Sequence, residues 1–131
     1  MEARELRIGN IVKAMCYDDK TFHEQTIVSQ IDEDEIGHDA VGMVWSNNSN
    51  EIEGIKPIPL TEQWLLDFGF ENGVLELNSS YKLRLTQETH YERSVYLENI
   101  RTSILMMISV KHVHQLQNLY FALTQKELII K

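Results

Sequence analysis

A chain of 131 residues suits a single domain, and a chain of that size buries enough surface to fold without a disulfide or a bound metal. Its one cysteine, Cys16, can form no internal bridge, which fits a reducing, cytoplasmic setting. Twenty acids against twelve bases leave a net charge of -8, which argues against direct nucleic-acid binding, because gripping a phosphate backbone takes clustered cations. The charge is uneven: residues 1–60 hold twelve acids and five bases, residues 61–131 eight acids and seven bases. The start, Met1-Glu2-Ala3-Arg4-Glu5, has no apolar signal core. No apolar run approaches the ~20 residues that span a bilayer, so no membrane association is expected.

In chain order, Leu6-Arg7-Ile8-Gly9-Asn10-Ile11-Val12 opens the fold, with Ile8 and Val12 assigned to the core and Gly9-Asn10 marking a bend or bulge at the entry to a strand. Residues 26–31 form a strand with Ile27 and Ile31 on one face and Val28 on the other, and Ile27 is assigned to the core. Asp32-Glu33-Asp34-Glu35 reads as a solvated turn. Val41, Met43 and Trp45 alternate with Gly42, Val44 and Ser46 as a further strand. Residues 52–58 run extended, and Pro57 and Pro59 confine their end to an edge or an exit. Short strands joined by turns suggest a strongly bent sheet, possible as an SH3-like partial barrel.

Residues 62–68 carry a short helix with both ends specified. Thr61 caps it, Leu60 staples onto Leu65, and Glu62 sits where the helix dipole favours an anion. Gly69 supplies a left-handed residue, and Phe70 folds back onto Leu65 in a Schellman closure. Trp64, Leu65 and Phe68 form the buried stripe. A hairpin follows. With Asn78-Ser79-Ser80 as its loop, Leu77 faces Tyr81, Glu76 faces Lys82 and Leu75 faces Leu83; a two-residue loop would scramble the faces. Such a loop favours Gly in its last position, which is Ser80 here, so a longer loop is the alternative. Residues 95–97 and 104–108 supply two more strands, the second apolar on both faces and so expected in a central, covered position.

Ser109 is expected to cap a last helix running from Val110 to about Leu123. At about 100° per residue, Val113, Leu116, Leu119, Tyr120 and Leu123 share one stripe, taken as the core face. Phe121 falls nearly opposite, beside His114, Asn118 and Gln125. These four residues are the candidate contact surface, unless a second packing layer or the segment Leu128-Ile129-Ile130 covers the ring.

Three strings, Arg7-Ile8-Gly9-Asn10, Ile58-Pro59-Leu60-Thr61-Glu62-Gln63-Trp64-Leu65-Leu66-Asp67-Phe68-Gly69-Phe70 and Val113-His114-Gln115-Leu116-Gln117-Asn118-Leu119-Tyr120-Phe121-Ala122-Leu123-Thr124, resemble an uncharacterised family of small proteins from gut anaerobic bacteria, their prophages and mobile elements. The resemblance implies a bacterial or phage cytoplasmic protein and transfers no catalytic residues. Where that family commonly shows Gly-Glu-Glu-Leu after the last helix, this chain has Gln125-Lys126-Glu127-Leu128, which removes the glycine that would close the helix.

Enzyme chemistry finds no support in the residues. On a helix, His112 and His114 point about 200° apart and cannot share one ion as neighbouring ligands. His23, His38 and His90 stand alone in polar segments. Cys16 lacks a nucleophile signature, and no phosphate loop or nucleophile elbow is present. No cofactor and no metal are therefore expected. The expectation is an α+β fold, a mostly antiparallel sheet with a short central helix and a longer C-terminal one. Its function is a non-enzymatic protein–protein interaction module, binding a partner or a second copy through the helix face around Phe121. The alternative is an acidic mimic of nucleic acid that occupies a host DNA-binding protein, with acids spaced like phosphates.

Overall fold

The computed structural model describes residues 5–15, 22–31, 35–38, 42–45, 54–86 and 94–131. The expectations for Cys16, residues 32–34, Val41 and His90 lie outside the described residues, as do those for the side chains of His23, His38, Met43, Trp45 and Met107. The fold is α+β, with two open antiparallel sheets and two helices. The chain divides into two compact units, Met1–Ile58 and Pro59–Lys131.

The first unit holds β1 (Ile11–Met15), β2 (Phe22–Ile31), β3 (Glu35–His38), β4 (Gly42–Trp45) and β5 (Ile55–Lys56), in the order β4-β3-β2-β1-β5. Its ladder slips between Val12 and Ala14 and between Val28 and Gln30, irregularities of the kind that bend a sheet. Among the described residues the sheet does not close. Leu6, Val12, Ala14, Val28, Ile36 and Ile55 form the core. The turn before β1 explains the Arg7-Ile8-Gly9-Asn10 string. Gly9 adopts φ 98°, which a side chain would resist, and the Asn10 amide closes the turn on the Arg7 carbonyl at 3.0 Å. The buried Asn10 Oδ1 accepts the Arg7 amide at 2.7 Å. Gly9 and Asn10 then exchange backbone hydrogen bonds with Val28, so the turn is stitched onto β2.

Two core assignments fail here. Ile8 rides the turn and is exposed, and in β2 the parity is reversed: Val28 and Thr26 are buried while Ile27 stands 43 % exposed. A strand seen alone fixes which residues share a face, not which face meets the core. The acidic run also ends in regular structure, because β3 begins at Glu35 and buries Ile36.

The second unit holds α1 (Glu62–Asp67), β6 (Val74–Glu76), β7 (Tyr81–Thr86), β8 (Ser94–Asn99), β9 (Leu105–Ser109) and α2 (Val113–Thr124), its sheet ordered β6-β7-β8-β9. The closure of α1 follows its sequence signals. Thr61 Oγ1 accepts the Trp64 amide at 3.4 Å. Gly69, at φ 98°, and Phe70 donate to the Leu66 and Leu65 carbonyls, both at 3.0 Å, the paired bonds of a Schellman motif. Leu65, Phe68 and Phe70 are buried, and Phe68 stacks obliquely on the half-buried Trp64 with ring centroids 5.6 Å apart.

The hairpin register is the expected one, with Leu75 opposite Leu83 and Glu76 opposite Lys82. No left-handed residue closes its loop. Instead Asn78 Oδ1 accepts the Ser80 and Tyr81 amides at 2.8 and 2.9 Å, an Asx turn doing what glycine would otherwise do. The β8–β9 hairpin uses the same device at Asn99, whose Oδ1 accepts the Arg101 amide at 3.0 Å, with Ser103 at φ 59°.

Candidate protein-interaction surface

The last helix starts later than its composition suggests. Ser109 ends β9, Val110 is buried, and the helix opens at Val113 with His112 as N-cap. Gln115 Oε1 reaches back to accept the amides of Lys111 and His112 at 2.9 and 3.0 Å, which satisfies donors that the first turn leaves open. At the far end Gln125 takes the left-handed cap position that glycine usually fills, with φ 60° and its amide on the Phe121 carbonyl at 2.7 Å.

The four candidate contact residues do not share one exposed face. His114 is 1 % exposed and stacks on His112, the ring centroids 5.8 Å apart and 15° from parallel. Asn118 and Phe121 are half-buried, and of the four Gln125 alone is exposed. The buried side of α2 is Val113, His114, Leu116 and Gln117, while Leu119 and Tyr120 are half-buried and Leu123 is 36 % exposed. The core face is therefore rotated by about a quarter turn from the aliphatic stripe, at about 100° per residue. Phe121 falls between Gln117 and His114 on the buried side, not opposite it. In the segment named as possible cover for the ring, Leu128 is buried and the Lys131 amide donates to the Asp67 carbonyl at 2.7 Å, while Ile129 and Ile130 are exposed.

Exposed apolar surface lies instead on β9. The strand expected at the centre of its sheet is an edge, paired with β8 alone among the described strands. Ile104, Leu105 and Met106 are 66 %, 50 % and 60 % exposed. A cross-strand row runs Leu75, Leu83, Leu97, Met106, passing from fully buried at Leu83 to open at Met106. Leu105, on the opposite face, lies beside Glu98. Native edges are ordinarily blunted by shortness, charge, proline or a bulge. Residues 105–109 hold no charge and no proline, and their register with β8 is unbroken. The other edges are shorter: four residues in β4, two in β5 and three in β6.

On the Leu105 face, Lys82 Nζ and Arg84 Nη2 both meet Glu98 Oε2, at 3.0 and 3.2 Å. The Lys82 ammonium, with Arg84 beside it, holds the Glu98 carboxyl below the ordinary carboxylate range, against the opposing effect of burial. A depressed carboxyl stabilises the fold above its unfolded-state pKa, and the contribution disappears as pH falls through the lower, folded-state value. We expect Glu98→Gln to lower stability slightly at neutral pH, since partly exposed pairs contribute little. The gap from wild type should close on acidification below the ordinary carboxylate range, where Glu98 too is protonated; urea melts across pH measure it.

A shallow cleft of about 360 Å³ lies between the exit of α1 and β6, with Gly69, Glu71, Glu76 and Lys131 on its walls. Among the described residues no three His, Cys, Asp or Glu side chains gather as ligands for one ion, and no helix is long and apolar enough to cross a membrane. Compared with protein-family models, with curated proteins and with solved structures, the chain matches none.

Proposed function

We propose that the protein is a non-enzymatic protein-binding module, and that its contact element is the outer edge of β9. One observation carries this reading: a five-residue strand that is an edge among the described residues, where Ile104 just before it and its own Leu105 and Met106 stand in water. Such an edge offers a row of backbone donors and acceptors to an incoming strand, and its apolar side chains offer adjacent area to bury. Keeping these side chains wet stabilises nothing in the isolated chain, whereas covering them gains about 25 cal/mol per Å² of apolar surface. This replaces the helix face around Phe121, where His114 belongs to the core.

Met106→Asp tests the reading. The side chain is 60 % exposed, so thermal stability should change by less than about 0.5 kcal/mol. A partner that co-purifies with the wild-type chain from its native host should be lost from the variant. Retention of the same partner by Met106→Asp, with an unchanged melting curve, would remove the β9 edge as the contact.

A further inference from the structure

We infer that the occupant of the β9 edge is an extended segment of another protein, apolar at its centre and acidic at its ends. The inference rests on the edge-binding reading above and adds the chemistry of the partner. Twenty acids are spread along the chain, yet residues 99–126 contain none. That span holds Arg101, Lys111 and Lys126 as its only formal charges besides the histidines, and it includes the whole of β9 and all of α2. Arg101 lies exposed in the loop that enters β9, and Lys111 lies exposed two residues beyond its end. A strand laid along residues 105–109 therefore finds an uncharged middle and a cation near each end. Its central side chains fall beside Leu105 on one face of the sheet and beside Met106 on the other, so both faces of the incoming strand are apolar there.

A second copy fits less well. Antiparallel pairing about a two-fold axis at Met107 sets Ser103 of one copy opposite Lys111 of the other. That brings the Arg101 loop of each towards the Lys111 end of its neighbour, placing like charges together. Each copy also carries -8, which opposes approach at low ionic strength. Carboxylates at the ends of a foreign strand avoid the clash of like cations at Arg101 and Lys111, and a short segment meets less of the long-range repulsion than a whole second chain of -8 does. Charges at the rim of an interface act chiefly on selectivity and on the rate of encounter.

The test uses the full chain and two fluorescein-labelled peptides read by anisotropy. One is Glu-Asp-Val-Ile-Val-Ile-Val-Asp-Glu; the other replaces its four acids with Lys and Arg. The acidic-flanked peptide is expected to bind about tenfold more tightly than the basic one at low salt, the ratio shrinking as salt rises because exposed charges are screened. Arg101→Glu combined with Lys111→Glu should invert the preference, and Met106→Asp should weaken both peptides. Equal binding of the two peptides, or tighter binding of the basic one, with Met106→Asp still weakening both, overturns the charge assignment alone. Binding of neither peptide to the folded wild-type chain, or binding that Met106→Asp leaves intact, overturns the edge-binding reading and the inference with it. A wild-type chain that dimerises at micromolar concentration and dissociates on Met106→Asp assigns the edge to a second copy and overturns the inference.

Discussion

Phe68→Ala should destabilise the Pro59–Lys131 unit by about 3–5 kcal/mol, the usual cost of removing a fully buried aromatic ring. The side chain has no solvent exposure, and its backbone amide caps the helix on the Trp64 carbonyl at 3.0 Å. The ring does more than fill volume. A helix of six residues cannot hold itself, because nucleation costs more than so few hydrogen bonds return. What fixes α1 is the packing of Leu65, Phe68 and Phe70, reinforced by the Schellman bonds around Gly69. Removing the ring strips the support from Trp64, 5.6 Å away, and opens a void that the short helix cannot close without losing its cap. Leu66→Ala is the control on the same helix: Leu66 is 62 % exposed, and its truncation should cost less than about 1 kcal/mol. Urea unfolding followed by tryptophan emission measures both variants. Equal losses for the two would mean that α1 is not anchored through Phe68.

The parts of this fold that were legible beforehand are those where a local rule has one outcome. Thr61, Gly69 and Phe70 specify a start, a stop and a fold-back, and each makes the bond expected of it. The β6–β7 register follows from parity, because a one-residue slip would put Leu75 and Leu83 on opposite faces. Even the missing glycines at Ser80 and Gln125 turn out to be matters of substitution rather than loss. Asn78 provides the turn in one place, and Gln125 accepts the left-handed conformation in the other, as L residues do at some cost.

What failed were the statements about which side faces inward. Ile27 and Val28 obey the same alternation whichever of them is buried, and the neighbouring turn, stitched to Val28, decides the matter from a distance in sequence. The run Ile104-Leu105-Met106-Met107-Ile108 looks central because apolar residues on both faces ordinarily mean cover on both faces. The same pattern is produced by an edge that awaits a strand from outside, and no property of the isolated segment separates the two. Attention therefore fell on an aromatic residue of α2, while exposed apolar surface lay in a segment already assigned to the interior.

The phase of α2 can be tested by a pair of leucines that the aliphatic stripe treats as equivalent. Leu116→Ala should cost about 2–5 kcal/mol, since Leu116 has no exposure and its removal leaves a cavity in a packed core. Leu123→Ala, at a site 36 % exposed, should cost less than about 1 kcal/mol. The asymmetry arises because the helix buries two polar side chains, His114 and Gln117, beside Val113 and Leu116, an arrangement that hydrophobicity alone disfavours. Turning the helix back to bury Leu119 and Leu123 would release His114 and Gln117 to water, but it would also carry Phe121 away from the core side. The half-buried ring keeps about half of the 150–250 Å² of an aromatic side chain from water, at roughly 25 cal/mol per Å², and this opposes the rotation. Chemical denaturation of the two variants side by side decides the phase. Comparable losses at Leu116 and Leu123 would restore the aliphatic stripe as the core face and return Phe121 to the surface.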